Sequence, residues 1–425
     1  MKNLMLAFFA LACFTARAGA QTDTAWLLQP DIVFDGENVH PGWVVLVQDN
    51  RIIYCGVPAA CPKPDPVHLL RMPGATLLPG LIEGHSHLFL HPYNETKWND
   101  QVLNESRAER TARAVVHAKT TLLAGFTTVR DLGTEGAGFD DAGLKTAIEK
   151  GIVPGPRMIV ATRAIVATGS YGPKLANTDH HLVRGAAEAD GVEGIIREVR
   201  TQIGNGADVV KLYADYRWGL DNTAEPTFTT EEIKAAVAVA ASSGRKVAVH
   251  AVTAEGMRRA AMAGVTTIEH GDNGTEEVFE LMKEKNIAYC PTLSATEAIA
   301  TYDGWRKGID PLPERVIAKH KSFSLALQKG VTICFGGDVG VFPHGDNARE
   351  MEAMVEYGME PLAVLRSATA VNADVFGYGS RIGRIAKGKT ADIIAVNGNP
   401  VINISDIRHT AFVMKDGIVY LNHFQ

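Results

Sequence analysis

Residues 26–78 alternate apolar and polar positions in short runs at 31–36, 42–47 and 51–54, each ended by a turn and none with helical periodicity. They predict strands of a small β-sandwich. From Leu88 to the neighbourhood of Val375 the texture changes to apolar runs alternating with helical segments, the pattern of a parallel sheet with crossover helices. The predicted strands are 77–83, 127–131, 157–161, 209–213, 246–250, 266–270, 288–293 and 332–335. Helices are predicted at 106–124, at 229–243 with an acidic first turn, and at 255–263. Gly125, Gly244, Gly264 and Gly330 each stand where a helix should stop. After a helix-like stretch at 363–370, strands return at 391–396, 411–414 and 418–420, and Lys415-Asp416-Gly417 reads as a hairpin turn.

The pattern therefore predicts an α/β fold: a distorted TIM-type (β/α)8 barrel at 79–375, beside a β-sandwich that takes 21–78 from one chain end and 376–425 from the other. In such a barrel the active site lies at the C-terminal ends of the strands.

Composition changes this picture at the N-terminus. Lys2, the apolar run 4–14 and Ala18-Gly19-Ala20 have the form of a signal peptide over residues 1–20, so the mature chain is expected to be exported, periplasmic or secreted. Removing Lys2 and Arg17, with no acid, takes the formal charge from −6 to about −8. No basic patch suggests nucleic acid, and no later apolar stretch is long enough for a membrane helix. A small-molecule substrate is expected. Cys55 and Cys61 flank a turn-rich loop that would suit a disulfide, whereas Cys290 and Cys334 sit in apolar runs as buried thiols. The absence of a Cys-x-x-Cys pair disfavours a cysteine zinc site.

The polar residues at predicted strand ends carry the chemistry. His85 and His87 end the first strand, Lys211 lies in the fourth, His250 and His270 end the fifth and sixth, and Asp338 follows the eighth. Singly, each has an ordinary alternative: a core histidine, a strand-end lysine, a turn aspartate. Jointly they surround one mouth, and a lysine inside the apolar run Val209-Val210-Lys211-Leu212-Tyr213 is costly unless paired, neutralised or modified. For substrate contacts the candidates are Tyr213, Tyr216 and Arg217 beyond the fourth strand, Arg163 and Tyr171 beyond the third, and His344 beyond Asp338. A surface arginine and core tyrosines are equally good accounts of those residues.

The motifs 78–87 (Leu-Pro-Gly-Leu-Ile-Glu-Gly-His-Ser-His), 125–131, 154–157 and 388–392, with Lys211, His250, His270 and Asp338, resemble the metal-dependent amidohydrolase superfamily across nearly the whole mature length. Within it the chain is similar to the exported Xaa-Pro/Xaa-Arg dipeptidase group, which includes enzymes that hydrolyse ochratoxin A. The resemblance implies two divalent ions, most often zinc: one on His85, His87 and Asp338, the other on His250 and His270, bridged by a carboxylated Lys211. It further implies Asp338 as the catalytic acid-base residue, a dipeptide or N-acyl amino acid as substrate, and a homo-oligomer, up to an octamer. Tyr171 stands where many relatives carry a histidine, so carbonyl-binding roles do not transfer to that loop. The rival readings are a mononuclear deaminase or cyclic-amide hydrolase, which needs no bridging lysine, and a metal-free scaffold on the same barrel.

Overall fold

A computed structural model describes residues 25–174 and 182–424. The expected signal peptide therefore lies outside the described residues.

Both chain ends build one module. The strands Ala25–Phe34, Val39–Pro41, Val44–Gln48, Arg51–Gly56 and Val67–Pro79 join Ile393–Asn397, Thr410–Lys415 and Ile418–Asn422. They are bonded as one eight-stranded sheet, because the long strand Val67–Pro79 pairs with Ala25–Phe34 on one side and with Ile393–Asn397 on the other. Leu28, Val33, Leu77, Ile393 and Phe412 are fully buried in its core. The hairpin turn falls at Asp416 and Gly417, both at positive φ, as a tight two-residue hairpin requires.

The sheet runs into the barrel through one residue. Residues 77–79 belong to the terminal sheet, and the first barrel strand is Leu81–Ser86, not 77–83. Gly80 makes the break: a Cβ there would stand 2.1 Å from Thr127 Oγ1, so no larger residue lets the two strands approach. Arg157 of the third barrel strand also bridges the modules through Asp392 and Asp416.

Phe126–Asp131 and Arg157–Val160 continue from the first barrel strand in one sheet; Val209–Tyr213, Lys246–Ala251, Thr267–His270 and Ala288–Cys290 follow in another. The third strand is broken at Thr162 (φ 60°) and resumes as Ile165–Val166, which pairs with the fourth. The helices Arg107–Leu123, Thr230–Ala241 and Ala254–Ala263 match the predicted ones within a few residues, and Thr229 with Glu232 forms a capping box.

Two further predicted strands differ. The seventh stops at Cys290, because Pro291 lacks an N–H, Thr292 turns left-handed (φ 50°), and Leu293 starts a helix. The eighth, 332–335, is reduced to isolated bridges, Tyr289 to Ile333 and Ser86 to Val339. Side chains replace its ladder: Asn372 Nδ2 donates to the carbonyls of Ile82 and Phe335, and the Glu83 carboxylate accepts from the backbone N–H groups of His85 and Gly337, both at 2.9 Å. Gly336 permits the approach, since a Cβ there would lie 2.5 Å from Cys290 Sγ and 2.8 Å from the His85 nitrogen. All four described cysteines are free. Cys55 and Cys61 are unbridged, their thiols turned to the carbonyls of Ile385 and Pro62.

Candidate active site

His85, His87, Lys211, His250, His270 and Asp338 converge at the C-terminal end of the barrel, as expected from the strand pattern. Ligand atoms of His85, His270 and Asp338 lie within 4.8 Å of one another. Asp338 Oδ1 is 3.3 Å from His87 Nε2 and 3.6 Å from His85 Nε2. The His250 and His270 rings are 4.5 Å apart, and those of His85 and His270 are 4.9 Å apart. His250 Nε2 lies 3.8 Å from Asp215 Oδ1.

Three of the four imidazoles are oriented by hydrogen bonds from behind. His85 Nδ1 is hydrogen-bonded to Glu269 Oε2 at 3.0 Å, and Arg130 donates to the other oxygen of that carboxylate at 2.8 Å and to the Gly84 carbonyl at 2.6 Å. His87 Nδ1 donates to the Gly133 carbonyl at 2.9 Å, and His270 Nδ1 is bonded to Thr292 Oγ1 at 2.8 Å. Lys319, fully buried, donates to the carbonyls of His270 and Pro291 and sits 2.5 Å from Asp272. Such partners fix ring orientation and tautomer around metal sites.

Burial pulls His85 down to about 4, and His250 and His270 well below the ordinary imidazole value, so these rings are neutral near pH 7. Burial acts the same way on His87, but the Asp338 carboxylate outweighs it and lifts His87 to about 9. Burial would raise Asp338, yet the His85 and His87 rings hold it at about 2. Lys211 is brought by burial to about 8, despite the pull of Glu269 and Asp338. Its Nζ, 1% exposed as a residue, has no hydrogen-bond partner among the described residues. A buried amine without an acceptor, ringed by metal-type donors, is the signature of a group that is completed by something bound. The donor set therefore fits divalent ions, with three neutral imidazoles, a carboxylate, and two groups, His87 and the Lys211 amine, that release a proton on binding.

A cavity of about 700 Å³ opens above this cluster, and its wall includes His87, His250, His270 and Asp338. Of the substrate candidates, Tyr171, Tyr213, Tyr216 and Arg217 line it, the three tyrosine rings packing 4.8–6.0 Å apart. Arg163 and His344 do not. Arg163 donates to the Ala186 carbonyl, and His344 is buried against His117 with its Nε2 bonded to the Leu90 carbonyl. Sequence reasoning passed over Trp98, Glu135, Asp272, Thr292 and Arg315, which also line the cavity. They come from loops and helices, where no periodicity marks them. Positive φ at Glu135 (50°), His270 (71°), Thr292 (50°) and Asp338 (64°) does mark this end of the barrel.

The fold and this constellation define a class. The chain belongs to the amidohydrolase family, whose sequence pattern matches residues 76–421. It is 32% identical to ochratoxinase of Aspergillus niger over 406 residues, 87% of this chain and 80% of that protein. A crystal structure of a Xaa-Pro dipeptidase with methionine bound in its active site superposes with a TM-score of 0.82 at 31% identity, covering 94% of this chain and 100% of the other. The crystal structure of A. niger ochratoxinase gives 0.80 at 27% identity, covering 94% and 96%. The protein is a hydrolytic enzyme acting on amide bonds.

Proposed function

We propose that this enzyme releases a C-terminal amino acid from dipeptides or N-acyl amino acids, and that ochratoxin A, cleaved to ochratoxin alpha and L-phenylalanine, falls within its range. The observation that carries the two-ion form of this reading is the orphaned Lys211 amine. His85, His87 and Asp338 would hold one divalent ion, and His250 and His270 a second, zinc being the first to test. Neutral Lys211 would add CO2, release a proton and become a carbamate with an oxygen for each side. A single-ion deaminase-type site would leave that amine buried and unanswered. Bound ions supply Lewis acidity towards the amide carbonyl and water.

The chain's own residues do the rest. Asp338, ionised and facing the cavity, accepts the proton of the attacking water and returns it to the leaving amine. Arg217 and Arg315 border the cavity and suit the carboxylate of the leaving amino acid, while the tyrosine wall receives an apolar side chain. The N-terminal pattern at 1–20 supports export, and the family resemblance supports a homo-oligomer; cell fractionation and light scattering test these.

The central experiment is a screen of Xaa-Pro, Xaa-Arg, Xaa-Phe and aromatic N-acyl-Phe substrates, ochratoxin A included, with product analysis and metal counting. The expected result is a free C-terminal amino acid, lost on chelation and restored by zinc, with two ions per chain. No amino acid from any substrate would overturn the substrate class. One ion per chain with full activity in Lys211→Ala would overturn the two-ion site.

A further inference from the structure

Among the described residues, three carboxylates line the cavity, and they are not equivalent. Asp338 lies 3.3 Å from His87 and 3.6 Å from His85. Asp272 lies 2.5 Å from the Lys319 ammonium and 3.5 Å from Arg315. Glu135 has no cationic partner among the described residues, although the residue is only 2% exposed. Its Oε2 accepts from the Tyr171 hydroxyl at 2.7 Å and from Trp98 Nε1 at 3.0 Å. Its Oε1 is buried and accepts from nothing among the described residues.

The carboxylate is also held in place at a cost. Glu135 sits at φ 50°, a conformation unusual for a glutamate, and the buried Arg110 guanidinium fastens the loop by donating to the carbonyls of Glu135 (2.7 Å) and Thr134 (3.0 Å). A Cβ on Gly133 would stand 3.3 Å from Glu135 Oε1 and 3.7 Å from His87 Cε1, so the orphaned oxygen and the His87 ring both pack close to Gly133, and Glu135 and His87 both line the cavity. A buried carboxylate left half-satisfied is expensive unless a donor arrives.

We propose that Glu135 is a specificity-determining residue that receives a cationic nitrogen of the substrate, either the free α-ammonium of a dipeptide or a cationic side chain on its N-terminal residue. A neutral N-acyl group leaves Oε1 unpaired, so the site discriminates in favour of the cation. This rests on the amidase reading above, which by itself does not choose between dipeptides and N-acyl amino acids.

The test compares wild type with Glu135→Gln, which keeps an acceptor for Tyr171 and Trp98 but loses the charge. With Ala-Phe, N-acetyl-Ala-Phe and N-acetyl-Lys-Phe, the variant should lose about tenfold to a hundredfold of the wild-type preference for a cationic substrate in kcat/KM. Loss confined to Ala-Phe over N-acetyl-Ala-Phe assigns the α-ammonium; loss confined to N-acetyl-Lys-Phe assigns the side chain. An equal fall on all three substrates, or no change, overturns the proposal. Calorimetric binding of L-methioninamide and N-acetyl-L-methioninamide to the zinc-loaded proteins separates this from catalysis. If wild type cleaves none of the peptides yet Glu135→Gln still selectively weakens the free amine about tenfold or more, the amidase reading fails and the cation site stands. If the variant binds both amides as wild type does and also shows no selective loss on N-acetyl-Lys-Phe, the cation site fails.

Discussion

In the terminal sheet, Leu28, Val33, Leu77, Ile393 and Phe412 are buried against one another, and the residues forced to positive φ in its last hairpin are an aspartate and a glycine, the types that tolerate it. At the barrel mouth the same backbone region is imposed on Glu135, Thr162, His270 and Thr292, and the buried side chains include Arg130, Lys211, Lys319 and Glu269. The first region gains stability from burial. In the second, burial is used to set charge states and hold rings in place, and stability is given up to do so. Substitutions should therefore separate the two: the mouth controls turnover, and the sheet controls folding.

Lys211→Met makes the sharpest separation. In metal-free protein the variant removes an amine that has no hydrogen bond to lose and relieves its desolvation, so the melting temperature measured in chelator should stay level or rise. The kcat/KM on an amide substrate should fall by at least about a thousandfold. Leu77→Ala should do the reverse, costing about 2–5 kcal/mol in denaturant unfolding while kcat/KM per folded molecule holds. Retained turnover in Lys211→Met, or a matching loss of turnover in Leu77→Ala, would erase the distinction.

Arg130→Met probes the boundary, because Arg130 is a mouth residue that also supports folding. It leaves Glu269 buried without its guanidinium and loosens the carboxylate that holds the His85 ring, so unfolding should show a loss of about 3–5 kcal/mol. Zinc affinity, read by competition with a chelator, should fall about tenfold to a hundredfold in the same variant. A stability loss without any change in metal affinity would mean that the Arg130–Glu269 pair serves the fold alone.

This division also explains what was legible in the sequence. Strand periodicity located the second to sixth barrel strands but began the first too early, inside the terminal sheet, and polar residues in or just after the strands marked His85, His87, Lys211, His250, His270 and Asp338, because a ligand beside an apolar run breaks a regular pattern. The eighth strand was read from Thr332-Ile333-Cys334-Phe335, but its ladder is replaced by Glu83 and Asn372 side chains, a tertiary substitution that no local pattern encodes. Arg163 and His344 were reasonable by position, yet the chain turns them to carbonyls away from the cavity. Glu135 and Arg315 went unnoticed because a carboxylate in a loop and an arginine on a helix are ordinary until the fold brings them to one wall.

The smallest effect concerns pH. Glu350 is fully buried and accepts from the backbone N–H groups of Leu293 and Ser294, so it caps the helix that starts at the mouth where the seventh strand is cut short. Burial outweighs those bonds and raises its pKa from 4.5 to about 7. The folded state then holds a proton that the unfolded chain releases, so this residue's share of stability is full below pH 4.5, declines as pH rises through 7, and is level above that. The share is on the order of 1–3 kcal/mol. Glu350→Gln should flatten that part of the stability-versus-pH curve, measured by urea unfolding from pH 4.5 to 8, whereas Leu77→Ala should lower the curve by a similar amount at every pH. If Glu350→Gln keeps the full slope, the titration belongs to the other buried carboxylates raised in the barrel, Asp131 and Asp215 among them, and the pH sensitivity is spread through the barrel instead of concentrated at this cap.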